Sequence, residues 1–183
     1  MVEKAVYPGT FDPITNGHLD LILRSAAIFS DVTVAVAAVS EKKGAMFGRE
    51  ERVAMVREAT ADAGVTVSVD VLDSLLVDFC RKRGIRVVIR GLRAYSDFEN
   101  EFQMSLTNRR LAPEIETFFL MPQEEHSYVT ATTVREIVRY GASAAGFVPP
   151  CVQGYIERFL QAHNKERLAA KGVRNGDKGA FDR

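Results

Sequence analysis

A histidine stands at the end of a loop crowded with turn formers, Thr10-Phe11-Asp12-Pro13-Ile14-Thr15-Asn16-Gly17-His18, directly ahead of a run with helical period. A helix start exposes unpaired backbone N–H groups and the positive end of the helix dipole, and an imidazole placed there adds one more donor toward an anionic oxygen. Lys42 and Lys43 follow, then Arg90 and Arg93 flanking Gly91-Leu92. Further on, His126 to Thr133 offers hydroxyls at Ser127, Thr130, Thr132 and Thr133 ahead of another helix start. Cationic clamps, hydroxyls and helix N-termini are the ordinary means of holding phosphate, and so many donors suit a triphosphate.

These residues act together only if the fold brings them together. Short Val- and Ile-rich runs alternate with segments of helical period, which predicts an α/β fold with a parallel sheet joined by crossover helices. The first strand is Ala5 to Tyr7. Leu19, Ile22, Leu23 and Ala26 then give a helix one apolar face, ending before Asp31, and Val32 to Ala38 reads as a strand buried on both faces. A helix starts near Gly48 with Glu50 and Glu51 in its first turn. Val65 to Val71 is the third strand, Leu75 to Arg83 a short helix, and Arg86 to Ile89 a strand that stops at an Arg-Gly pair. Phe98, Phe102 and Leu106 place a helix from about Ser96 to Leu111, with Pro113 at its end, and Glu116 to Leu120 is the fifth strand. Thr133 and Glu136 have capping-box spacing for a helix ending near Gly141, and Pro149 opens a last helix striped by Val152, Tyr155, Ile156, Phe159 and Leu160.

In an open parallel sheet, ligands bind beyond the carboxyl ends of the strands. His18, the lysine pair, the arginine pair and the hydroxyl loop all follow predicted strands. Taken singly, each has an ordinary explanation: a turn, a solvated lysine pair, surface arginines, or a helix cap that exists whether or not phosphate binds. Their shared position at strand ends is what distinguishes them.

The chain has 183 residues, 46% of them hydrophobic, enough for one substantial core. Residues 1–165 are expected to form a single domain. From about Arg167 the composition turns to Lys, Arg, Gly and Asn without periodicity, so 166–183 is expected to be a flexible, weakly basic tail. Lys plus Arg and Asp plus Glu both number 24, so no global field points to a nucleic acid or membrane partner. No signal or spanning segment is evident, which leads to the expectation of a cytoplasmic protein. Cys80 and Cys151 are far apart and lack a neighbouring His, so core thiols are expected rather than a metal site.

Thr10 to His18 resembles the T/H-x-G-H signature of nucleotidyltransferases. Tyr7-Pro8-Gly9-Thr10-Phe11-Asp12-Pro13, Lys42-Lys43, Met46-Phe47 with Glu50-Glu51-Arg52-Val53, and Ile89-Arg90-Gly91-Leu92-Arg93 are together similar to bacterial phosphopantetheine adenylyltransferases, in order, from about residue 3 to residue 160. The resemblance implies a Rossmann-like fold with helices on both faces of five strands and a C-terminal helix. It implies the penultimate steps of coenzyme A synthesis, with ATP and 4′-phosphopantetheine as substrates, coenzyme A as a feedback ligand, and a homohexamer built from trimers. Carried over by position, it puts Thr10 and His18 on the ATP phosphates and the transition state, with Lys42 and Arg93 completing a catalytic set. Thr10, Lys42, Leu76 and Arg90 would hold phosphopantetheine. Phe11, Gly91, Leu92, Arg93 and Glu101 would line the nucleotide, with His126, Ser127, Tyr128, Val129, Thr130, Ala131 and Thr132 closing over it. Two positions depart from the family: Ala131 stands where serine is common, and His126 where an aromatic such as Trp can occur.

A phosphate nucleophile is already ionised near neutrality, so no catalytic triad is required. Mg²⁺ is expected to ride mainly on the ATP phosphates, since no dense carboxylate cluster is apparent. The alternatives are a sister transferase acting on another small phosphorylated acceptor, a relative of class I aminoacyl-tRNA synthetases, or a non-catalytic nucleotide-binding module. The missing Lys-Met-Ser-Lys-Ser type signature and the short chain count against the synthetase.

Overall fold

The Val- and Ile-rich runs form a five-stranded parallel sheet, and the segments of helical period cross between its strands. The computed structural model describes residues 4–38, 45–93 and 95–176, the side chains of residues 95, 96 and 164–176 excepted. Strand β1 spans Lys4–Gly9, helix α1 Asn16–Ile28, β2 Asp31–Ala37, α2 Arg49–Asp62, β3 Ser68–Leu72 and α3 Leu76–Arg83. Then come β4 at Val87–Gly91, α4 at Tyr95–Leu111, β5 at Glu116–Leu120, a 3-10 turn at Glu124–His126, α5 at Ala131–Arg139 and α6 at Pro150–Gly176.

The strand order is β3-β2-β1-β4-β5. The chain winds outward from β1, returns to the middle, and winds outward again from β4. Right-handed crossovers then put α1 and α2 on one face and α3 and α4 on the other. Burial follows the two-residue period of the strands. Tyr7, Val34, Val36 and Ile89 share a core with Leu21, Ile22, Val53, Val56, Val152 and Ile156, while Val6, Ala35 and Val88 pack with Val77, Phe79, Cys80 and Ile115. The expected Rossmann-like α/β sheet with helices on both faces and a C-terminal helix is therefore what forms.

Several boundaries differ from the sequence expectation, each for a local reason. Strand β3 starts at Ser68, because the Val65 N–H is used to close α2 on the Thr60 carbonyl at 3.1 Å. Strand β4 continues through Arg90 and Gly91, which pair with Phe119 and Leu120 of β5. A Cβ at Gly91 would lie 2.4 Å from Leu21 Cδ1, so the missing side chain lets the strand pass beneath α1. On α1 the buried stripe is Leu21, Ile22 and Ser25, leaving Leu23 at the surface. The Ser25 hydroxyl satisfies itself on the Leu21 carbonyl, which hides a core position behind a polar residue. Helix α5 is capped by Thr130, whose hydroxyl accepts the Thr133 N–H at 2.9 Å; the expected Thr133–Glu136 box lies inside the helix instead. Pro149 supplies the cap carbonyl of α6 and Pro150 its first residue. Helix α6 runs on to Gly176, past the point near Arg167 where fraying is expected, because its Lys, Glu, Arg, Leu and Ala favour helix without an apolar stripe.

Candidate active site

Strands β1 and β2 stay in register over six positions, but β1 and β4 pair only at Ala5 with Val87 and Val6 with Val88. The sheet reverses its order at that seam, and beyond it a cleft of about 440 Å³ opens at the carboxyl ends of the strands. Thr10, His18, Leu76, Arg90, Gly91, Arg93, Glu101, Val129, Thr130, Ala131 and Thr132 all line it. His18 and Arg93, 75 residues apart in sequence, thus face one space.

His18 is the third residue of α1, inside a capping box closed by Thr15. The Thr15 N–H donates to His18 Nδ1 at 3.0 Å, and the Thr15 hydroxyl accepts the His18 N–H at 3.3 Å. Burial lowers the His18 pKa to about 4, and the positive charge of Arg93 acts the same way. The ring is consequently neutral near pH 7, with Nδ1 accepting and Nε2 carrying the proton. Phe11 backs it edge-on, with ring centroids 5.2 Å apart. Phe11 itself is buried behind the cleft wall and holds a left-handed backbone, φ 51°. A Cβ at Gly9 would come within 2.8 Å of its ring.

The two arginines meet the cleft already engaged. Arg90 grips Glu101 with two bonds, Nε to Oε2 at 2.5 Å and Nη2 to Oε1 at 2.6 Å, and its remaining nitrogen approaches the Pro8 carbonyl at 3.4 Å. Arg93 bonds Asp97 through Nε at 3.0 Å and reaches toward the Val129 carbonyl at 3.5 Å. These bonds fix the geometry of both guanidinium groups beside the cleft. Tyr7 lines the same cleft, its hydroxyl pKa raised chiefly by burial, with the charges of Arg90 and Arg93 opposing.

Within the hydroxyl loop, the structure divides the residues. Val129 to Thr132 line the cleft at the N-terminus of α5. Ser127 and Tyr128 instead border a shallow depression with Gln123, Glu124 and Glu125, and the Ser127 hydroxyl is spent on the Glu124 carbonyl at 2.7 Å. The His126 carbonyl packs over Gly17, where a Cβ would lie 3.3 Å away, and neither His126 nor Leu92 lines the cleft. Lys42 and Lys43 lie outside the described residues.

Sequence reasoning did not single out the residues that hold the loop after β1. Buried Asp12 accepts the N–H groups of Met46 and Phe47, both at 2.9 Å, tying that loop to the segment before α2. Arg135 donates to the Asp12 carbonyl at 2.7 Å and to the Thr132 hydroxyl at 3.1 Å, joining the same loop to α5. Tyr7, Thr15, Leu21 and Met104 also line the cleft. For Met104 a signal existed, since it lies three residues from Glu101 on the same face of α4. Among the described residues, no group of three or more His, Cys, Asp or Glu is gathered as metal ligands.

A family model described as cytidylyltransferase-like matches residues 6–137. Over 167 residues the chain is 48% identical to the phosphopantetheine adenylyltransferase of Alkalilimnicola ehrlichii, covering 91% of this chain and 95% of that protein. Over 164 residues it is 50% identical to the enzyme of the same name from Nitrosospira multiformis, covering 90% and 98%. Among solved structures it is similar to a bifunctional NMN adenylyltransferase/ADP ribose pyrophosphatase from Francisella tularensis, with a TM-score of 0.67 at 17% identity. That likeness covers 100% of this chain and 58% of the other, and it speaks for the fold alone.

Proposed function

The chain belongs to the phosphopantetheine adenylyltransferase family within the cytidylyltransferase-like proteins, and we propose that it transfers the adenylyl group of ATP to 4′-phosphopantetheine, giving dephospho-coenzyme A and pyrophosphate. The observation that carries this assignment to residues is the convergence of His18, Arg90, Arg93 and the N-terminus of α5 on one cleft.

The acceptor phosphate has a second pKa of about 6 and attacks as the dianion, so no general base is needed. Rate then depends on aligning two anions and on countering charge at the α-phosphate and the departing pyrophosphate. His18, neutral and with Nε2–H as its free donor, is suited to the developing phosphoryl oxygen. Arg90, with Lys42, offsets the charge of the incoming phosphopantetheine phosphate, while Arg93 and Thr10 serve the triphosphate. Leu76 is suited to the apolar pantetheine arm. Gly91 and Glu101 border the adenosine, and Val129 to Thr132 at the start of α5 close over it. The acids beside the cleft are committed, Glu101 to Arg90 and Asp97 to Arg93, so Mg²⁺ is proposed to arrive on the triphosphate oxygens. When bound there it neutralises part of the triphosphate charge.

A homohexamer, coenzyme A as a feedback ligand and a cytoplasmic location belong to the same proposal. Supporting self-association, Phe98, Phe102 and Leu106 of α4 stand between 43% and 48% exposed, an apolar stripe unusual for solvent. Among the described residues, no helix is long and apolar enough to cross a membrane.

A screen of acceptors tests the substrate. With Mg²⁺ and ATP, pyrophosphate release should be fastest with 4′-phosphopantetheine and far slower with nicotinate mononucleotide, nicotinamide mononucleotide or glycerol phosphate. Faster release with any of the latter would reassign the substrate, and no release with any acceptor would indicate a binding module.

A further inference from the structure

Among the described residues, Arg52 on α2 is the largest side chain sealed wholly inside, at 0% exposure. One of its nitrogens, Nη1, donates to the Thr10 carbonyl at 2.7 Å and to the Ala37 carbonyl at 2.9 Å. Among the described residues its Nε and Nη2 have no hydrogen-bond partner. Among the described residues no carboxylate forms an ion pair with it, and the buried acid nearest in the network, Asp12, commits both oxygens to the N–H groups of Met46 and Phe47. Burying a guanidinium with two of its nitrogens unsatisfied costs stability, even though the charges of Asp12 and Glu50 favour its ionised form, and a purely apolar core would have no need of it. Packing therefore does not account for an arginine at this position. What the arginine does provide is a bridge: it joins the loop after β1 to the end of β2, two of the strand ends that border the cleft.

The bridge has a directional consequence. Thr10 C=O and Phe11 N–H belong to one planar trans peptide and point in opposite directions. Drawing the carbonyl down toward Arg52 turns the Phe11 N–H away from it and sets the Thr10 side chain, which lines the cleft, at a fixed height above the sheet. Phe11 holds a positive φ of 51°, a conformation that needs external support in a residue with a large ring. Arg52 supplies that support from below.

We propose that Arg52 is a positioning residue for adenylyl transfer: its hydrogen bonds to the carbonyls of Thr10 and Ala37 hold the Thr10–Phe11 peptide in the orientation the reacting phosphates require. This rests on the adenylyl-transfer function above and adds to it a residue that touches neither substrate.

The test uses the full-length protein and two variants, Arg52→Met and Arg52→Lys, with thermal melting, steady-state kinetics and hydrogen exchange of the segment around residues 9–12. Arg52→Met should remain folded at the assay temperature, lose kcat by about tenfold or more, and keep both KM values within about threefold, as expected when alignment rather than binding is lost. The same variant should exchange faster at residues 9–12 with unchanged protection in β2. Arg52→Lys, which can still reach one carbonyl, should recover part of kcat; it also serves as the test should the Met variant not fold. Wild-type kcat in Arg52→Met, or unchanged exchange at residues 9–12, overturns the proposal. So does a kcat loss in both variants that merely follows a loss of folded protein. If the wild-type protein releases no pyrophosphate with 4′-phosphopantetheine, the substrate assignment fails on its own, and the exchange measurement still decides the role of Arg52.

Discussion

The Thr15 N–H donates to His18 Nδ1 across 3.0 Å, and this bond decides which face of the imidazole meets the cleft. With Nδ1 occupied as an acceptor, Nε2 is left to donate, so a residue that caps a helix is also held as an oriented neutral donor at the strand seam. The same loop that makes the helix start makes the site.

Replacing His18 with Ala should lower kcat by about 10² or more, by analogy with the loss of one oxyanion donor. It should also cost about 1 kcal/mol of stability, because the cap goes with the ring. Gln is a good capping-box residue at this position, so His18→Gln should recover the melting temperature without recovering wild-type turnover. Pyrophosphate release and thermal melting on the two variants separate the roles, and wild-type turnover in His18→Ala would remove His18 from the mechanism.

The low His18 pKa has a signed consequence. Folding lowers it from 6.5 to about 4, so between those pH values the unfolded chain binds the extra proton and the folded one does not. Stability from this group is complete above 6.5 and is lost as pH falls toward 4. The melting temperature of the wild type should therefore drop more steeply between pH 7 and pH 4.5 than that of His18→Gln. Parallel curves would show that the imidazole is not desolvated as described.

Gly9→Ala should be disproportionately harmful for one methyl group. The added Cβ would lie 2.8 Å from the Phe11 ring, which is packed edge-on between Tyr7 and His18. A loss of about 1–3 kcal/mol is expected, as for overpacking elsewhere, together with a fall in kcat as His18 shifts. Urea denaturation and kinetics on the same sample check both.

Much of this was legible from sequence because the signals were local. Glu116 to Leu120 forms β5 with the expected limits, and Gly48 with Glu51 marks the start of α2, where the Glu51 carboxylate accepts the Gly48 N–H at 3.0 Å. What escaped depends on contacts between distant segments. Nothing local announces that Arg52 lies wholly inside the protein, that Arg90 and Glu101 form a single fork, or that Asp12 reaches across to Met46 and Phe47. The division of the hydroxyl loop, with Thr130 in the cleft and Ser127 out of it, follows from the 3-10 turn at Glu124–His126, whose weak local preferences leave no clear trace in the sequence.

Thr130→Ala should act on both stability and binding. Its hydroxyl caps α5 by accepting the Thr133 N–H, so about 1 kcal/mol should be lost. Because that N-terminus faces the cleft, the affinity for ATP should fall while the affinity for 4′-phosphopantetheine changes less. Calorimetric titration with each ligand separately measures this, and equal weakening of both would move the nucleotide away from α5.

The central claim is that two phosphorylated ligands meet at the β1–β4 seam and exchange an adenylyl group there. Incubating the full-length protein with Mg²⁺, ATP and 4′-phosphopantetheine and following products by mass spectrometry tests it directly. Dephospho-coenzyme A and pyrophosphate should accumulate in equal amounts and vanish when either substrate is left out; ATP consumed without dephospho-coenzyme A, or no turnover at all, would contradict it.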